Sequence, residues 1–186
     1  MAKLADLIAP LIEAVATGRT EVYNEFSLQH ELGVLLRVRH PNYKVQFERN
    51  VSFFFGAKPP FTKREIDISV FSPDMKDLKY AVELKYPRNG QYPEQMFSFC
   101  KDLVFAEELK SAGFSQAGLV IFAEDSLFYE GAGEGIYSFF RGGRPIHGRI
   151  GKPTGSKDDA VEIRGNYSVQ WKPVCTSLMY ATIEAI

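Results

Sequence analysis

Leu4, Leu7, Ile8, Leu11, Ile12 and Val15 recur at the three- and four-residue spacing of one helix face, and Gly18 stands where that helix would stop. Leu28, Leu32, Leu35 and Leu36 form a second helical stripe, with Asn24 as its cap and the His40-Pro41 step as its end. Beyond Pro41 the texture changes to β-branched and aromatic runs over residues 43–55, 64–71 and 80–86, divided by breakers at Gly56 to Pro60 and at Ser72-Pro73-Asp74. These runs predict a meander of three strands. Pro93 suits the first turn of a third helix, expected to run to Ser111 with Met96, Phe99, Cys100 and Leu103 as its apolar stripe, Lys101 and Asp102 solvated, and Gly113 as its stop. The apolar run over residues 117–123 predicts a strand buried on both faces. Glycine and basic residues dominate from Glu130 to Lys157, which predicts loop with room for one strand; residues 159–164, 167–172 and 180–185 are expected as further strands.

The resulting order of α, α, β, β, β, α, β predicts an α/β protein, and 186 residues suit a single domain over residues 1–186. An apolar fraction of 45% is enough to form its core. Cys100 and Cys175 are too few and too distant for a disulfide framework or a four-ligand zinc site, and are expected as buried reduced thiols. Asp6, Pro10 and Glu13 interrupt the opening run, which argues against a secretory signal. No apolar stretch has the length of a membrane span, so a cytoplasmic protein without a membrane partner is expected. A net charge of −1 argues against coating nucleic acid by bulk electrostatics, yet it is compatible with an acidic site between basic flanks.

Strand alternation puts Glu65, Asp67 and Ser69 on one face of their strand, and Ala81, Glu83 and Lys85 on one face of the next. If the two strands pair through the turn at Ser72 to Lys79, Asp67 comes near Glu83 and Lys85. Two carboxylates suit Mg²⁺ or Mn²⁺, which polarises a phosphate and acidifies water; the lysine can orient that water or offset developing charge, and the Leu84 carbonyl is a further ligand candidate. The alternative is a solvated sheet face on which Lys85 is only a cross-strand partner. A different α/β scaffold in which the motif is accidental predicts instead that the side chains of Asp67 and Glu83 lie far apart, or that the strand order separates them.

The segments Arg64-Glu65-Ile66-Asp67-Ile68 and Tyr80-Ala81-Val82-Glu83-Leu84-Lys85-Tyr86 resemble the signature of the PD-(D/E)XK nuclease superfamily. Ile66 stands where the motif's proline would be. The resemblance implies a restriction-endonuclease-like core of helix, three strands, helix and strand over Glu25 to Ala123, with an extra N-terminal helix and C-terminal strands added to it. It implies Asp67 and Glu83 as metal ligands, Lys85 as the catalytic lysine, and in-line attack by a metal-activated water on nucleic acid, DNA being the first expectation. Many members add a glutamate from the helix before the sheet; Glu31 is the first candidate for this role and for the metal, and Glu25 the second, the alternative being a glutamate that only supports the helix. Some branches add a glutamine on the following helix, a place matched by Gln95, which otherwise reads as a polar first-turn residue. A homodimer is compatible with this type of nuclease, and so is a module of the same fold that binds without cutting.

Arg141, Arg144, Arg149, Lys152 and Lys157 lie in a stretch without acidic residues and are candidates for phosphate contact, as are Lys58, Lys63, Arg64 and Arg88 beside the site; a solvated loop is the alternative for the first group. Gly151 to Lys157 lacks the residue order of a nucleotide-binding loop, and His30, His40 and His147 lack zinc-ligand partners.

Overall fold

A computed structural model describes residues 3–56, 61–88, 90–155 and 159–186. The candidate flanking cations Lys58 and Lys157 lie outside the described residues. Helix α1 (Leu4–Ala16) buries Leu4, Leu7, Ile8 and Leu11. Pro10 stands inside it and cannot donate to the Asp6 carbonyl. Arg39 Nη1 reaches the Asp6 and Leu7 carbonyls, both at 3.3 Å, and so satisfies the acceptor that the proline leaves free. Helix α2 (Glu25–Arg39) starts at a reciprocal cap: Asn24 Oδ1 accepts from the Ser27 N–H at 2.7 Å, and Ser27 Oγ accepts from the Asn24 N–H at 3.0 Å.

Strand β1 (Lys44–Asn50) is followed by the single helical turn α3 (Ser52–Phe55), then β2 (Glu65–Phe71), β3 (Leu78–Lys85), α4 (Tyr92–Ala112) and β4 (Gln116–Ala123). A short helix α5 (Tyr137–Phe140) precedes β5 (Ile146–Gly151) and β6 (Ala160–Tyr167), and the chain closes with β7 (Lys172–Cys175) and β8 (Leu178–Glu184). Six strands form one mixed sheet in the order β1-β2-β3-β4-β8-β7, while β5 and β6 pair as a separate antiparallel hairpin. Within the sheet only β3 and β4 are parallel neighbours among the described residues, and α4 makes the crossover that such a pair requires. The fold is therefore α/β, with helices on both faces of a mixed sheet.

Helices α1 and α2 cover one sheet face, where Leu7, Ile8, Leu28 and Leu32 pack with Val82, Leu84, Val120 and Phe122. Helix α4 covers the other face against Ala81, Leu119 and Ile121, and Ile146, Ile150 and Ile163 of the hairpin join the same cluster. A helix enclosed in this way is buried on most of its circumference. Even Glu107 of α4 is buried; its carboxylate accepts from the backbone N–H groups of Arg164 at 3.1 Å and Gly165 at 2.7 Å and from Tyr167 Oη at 2.9 Å, which ties the hairpin to the helix.

Three expectations change. The run over residues 43–55 is not one strand: β1 ends at Asn50, whose Oδ1 accepts from the Ser52 N–H at 3.0 Å and opens α3. There Phe53 and Phe54 meet Phe71 edge-on, and Phe54 also meets Phe114. Residues 167–172 are likewise not a strand, because Tyr167 ends β6 and Trp171 turns to donate its Nε1–H to the Phe140 carbonyl at 2.8 Å. Cys100 is buried and Cys175 exposed, both as free thiols, so only the first matches the expected burial. Among the described residues no helix is long and apolar enough to cross a membrane.

Gly118 in the middle of β4 permits a close strand approach: a Cβ there would overlap the Ile183 carbonyl oxygen of β8. Backbone in a central sheet cannot give way cheaply, so Gly118→Ala is expected to cost about 1–3 kcal/mol. A thermal melt matching that of the native sequence would refute this packing.

Candidate active site

In the register of β2 and β3, Ile68 opposes Val82 and Ser69 opposes Ala81, which sets Asp67 across from Glu83. Each carboxylate reaches the neighbouring strand's backbone. Glu83 Oε1 accepts from the Asp67 N–H at 3.3 Å, and Asp67 Oδ2 accepts from the Leu84 N–H at 2.7 Å. The two acids are adjacent rather than scattered over a solvated face: Asp67 is 8% exposed and Glu83 0%. Lys85 follows on the same face of β3.

Three more side chains complete the cluster. Lys63, from the segment entering β2, donates its Nζ to Glu83 Oε2, and it lies 2.9 Å from Asp102 Oδ1 and 4.0 Å from Asp67 Oδ1. Asp102 of α4 bridges both lysines, with its Oδ2 3.2 Å from Lys85 Nζ. Glu25, the first residue of α2, places Oε1 3.9 Å from Lys85 Nζ and accepts the Tyr86 N–H on Oε2 at 3.3 Å. Four carboxylates thus face two ammonium groups, a formal charge of −2 when all are ionised.

The electrostatics follow from that excess. Burial, helped by Asp102, raises the Asp67 carboxyl to about 6 against the opposing pull of Lys63 and the Leu84 N–H. Burial raises Glu83 well above the usual carboxylate range, and the charges of Asp67 and Asp102 add to this. For Lys63, burial alone would lower the pKa, but Glu83, Asp102 and Asp67 together hold it above its ordinary value. The same balance, with Asp102 and Glu25 as the main partners, raises Lys85. Lys85 is therefore a cation at neutral pH, suited to donate hydrogen bonds and offset negative charge rather than to remove a proton.

Among the described residues no group of three or more His, Cys, Asp or Glu side chains is set at metal-holding geometry. Instead Asp67, Glu83 and Asp102 share one ammonium, which stands in for a cation among hard oxygen donors. Donor chemistry and charge excess both fit Mg²⁺ or Mn²⁺.

The remaining candidates separate into those near the cluster and those away from it. Leu84 joins through its N–H rather than its carbonyl. Glu31 does not join: its carboxylate pairs with His30 Nδ1 at 3.1 Å. At 100° per residue it points some 200° away from Gln29, whose Nε2 donates to the Asp67 carbonyl at 2.9 Å. Glu25, ranked second on sequence, is the α2 glutamate that lies beside Lys85. Gln95 stands half-buried on α4, two turns before Asp102 and on the same helix face.

Arg64 and Arg88 are exposed near the ends of β2 and β3, and Arg88 Nη1 donates to the Tyr23 carbonyl at 2.9 Å. Arg141 is no free phosphate binder: Nη1 and Nη2 donate to the Ala132 and Leu127 carbonyls, each at 2.5 Å. Arg144 Nε donates to Ser138 Oγ at 2.7 Å, and its guanidinium lies over the Phe139 ring. Arg149 is exposed on β5 and Lys152 half-buried just beyond it.

Sequence reading missed the role of Asp102, yet a signal existed. Phe99, Leu103 and Ala106 are apolar, and Asp102 lies beside them on the helix, where a solvated aspartate is out of place. Beyond the ends of the parallel strands β3 and β4, Pro87, Arg88, Tyr92, Glu124, Asp125 and Phe128 line a cleft of about 270 Å³, the position at which open α/β sheets commonly take ligands. Comparison of the chain with family models, with curated proteins and with solved structures returns no match.

Proposed function

We propose that this protein is a metal-dependent nuclease of the PD-(D/E)XK type, with a restriction-endonuclease-like core over Glu25 to Ala123, that hydrolyses phosphodiester bonds of nucleic acid, DNA first. The observation that carries this reading is the convergence of Asp67, Glu83 and Lys85 with Asp102 on one buried sheet face, at a net negative charge. Asp67 and Glu83 would hold Mg²⁺ or Mn²⁺. The bound cation would supply Lewis acidity toward the phosphate and toward a water. Lys85 donates to the attacking water or to the phosphate oxygens as negative charge grows there. Asp102 and Glu25 hold Lys85 in place, and Gln29 fixes the backbone that carries Asp67; these are positioning residues. Arg64 and Arg88 are placed to meet the flanking backbone of the nucleic acid.

The test is incubation with duplex, single-stranded and branched DNA and with RNA, in Mg²⁺ or Mn²⁺ and in EDTA. Metal-dependent cleavage that Asp67→Asn abolishes is the expected result. Cleavage that persists in EDTA, or no cleavage of any substrate, contradicts the proposal; binding without cutting would leave a nucleic-acid-binding module.

A pH dependence follows. A ligand must shed its proton to bind a cation, and the Asp67 carboxyl titrates at about 6. Mn²⁺ affinity measured by calorimetry should therefore rise from pH 5 to pH 7, with protons released by Asp67 and by Glu83, whose carboxyl is raised by burial well above the usual range. A flat affinity across that window would remove Asp67 from the ligand set.

A further inference from the structure

Lys63 is the one member of the cluster that the proposed chemistry leaves without a task. Its ammonium sits among oxygens of Glu83, Asp102 and Asp67, the position a cation would seek. The two lysines differ in how firmly they are built in. Lys85 belongs to β3, and its side chain is 14% exposed; Lys63 precedes β2 in a segment without regular structure, and its side chain is 29% exposed. Lys63 therefore has a route to solvent, and its long side chain can leave the cluster while the backbone stays anchored through Thr62 on Glu108 and the Arg64 carbonyl on the Val51 N–H. We propose that Lys63 is a tethered counter-ion seated in the divalent-cation site, and that Mg²⁺ or Mn²⁺ binds by displacing it.

This inference rests on the metal-site reading above and adds to it a built-in competitor. Without metal, the ammonium prevents three buried carboxylates from repelling one another. With metal, a double positive charge replaces a single one, and the formal charge of the cluster moves from −2 to −1. Lys63 thus weakens metal affinity while it keeps the metal-free protein folded, and its released side chain becomes a cation at the mouth of the site.

The experiment is calorimetric titration of Mn²⁺ into the full chain and its Lys63→Gln and Lys63→Arg variants, together with acylation of Lys63 by acetic anhydride, read by mass spectrometry with and without Mn²⁺. Lys63→Gln should bind Mn²⁺ about tenfold more tightly and melt at a lower temperature in EDTA, because the competing charge-assisted bonds are gone. Lys63→Arg, which keeps the charge, should bind no more tightly than the native sequence. In the native sequence Lys63 should be protected without metal and acylated with it. Equal or weaker affinity in Lys63→Gln, or labelling indifferent to Mn²⁺, overturns the displacement. If Lys63→Gln does not fold, the labelling decides. Absence of Mn²⁺ binding in every form overturns the metal site itself, and the displacement with it.

Discussion

Lys85→Ala is expected to lower the rate of phosphodiester cleavage by about 10²–10³-fold, the usual cost of removing one donor aimed at transition-state charge. Metal affinity should change little, because the carboxylates proposed to hold the cation remain. The geometry makes Lys85 hard to replace. Its Nζ lies 3.2 Å from Asp102 Oδ2, a buried carboxylate of α4, and the more exposed Glu25 of α2 adds negative charge from 3.9 Å. Lys85→Arg should not rescue the rate, since a planar guanidinium cannot occupy the place of a compact ammonium. Because its partners hold Lys85 protonated, the defect should persist unchanged from pH 7 to pH 9. Single-turnover kinetics beside Mn²⁺ calorimetry on the same variants would check this; a normal rate in Lys85→Ala would remove Lys85 from the chemistry.

Glu107→Ala is expected to have the largest effect on stability. Its carboxylate is the shared acceptor for the Arg164 and Gly165 N–H groups and for Tyr167 Oη. Truncation leaves those donors without this acceptor at a part-buried interface and opens a gap beside α4, a loss of about 3–5 kcal/mol. For a domain of this size that corresponds to a fall in Tm of about 6–20 °C. Glu107→Gln keeps one acceptor oxygen and should recover part of the loss. A melt of Glu107→Ala within a degree of the native sequence would show that the β5–β6 hairpin is held by its apolar contacts alone.

Periodicity in the sequence made the main frame legible. The stripes of α1 and α2 reflect the repeated burial of one helix face, while the runs of β2, β3 and β4 reflect strands covered by helices on both faces of the sheet. The pairing of Asp67 with Glu83 was also legible, because alternation and a short turn between antiparallel strands fix which residues face each other. Phe53 to Phe55 was misread because consecutive aromatics have no period that separates a strand from a helical turn. Asp102 was misread for a different reason: its partners Lys63 and Lys85 lie on other elements, and the burial of α4 depends on a hairpin from much later in the chain. The choice between Glu25 and Glu31 likewise turned on where α2 begins relative to the end of β3, which no local pattern encodes.

The most direct test of the metal site is an anomalous-difference map from crystals soaked in Mn²⁺. One strong peak is expected within coordination distance of Asp67 and Glu83 carboxylate oxygens, with the Lys63 ammonium moved out of the cluster. A map with no peak at these carboxylates, and Lys63 still seated between Glu83 and Asp102, would contradict it.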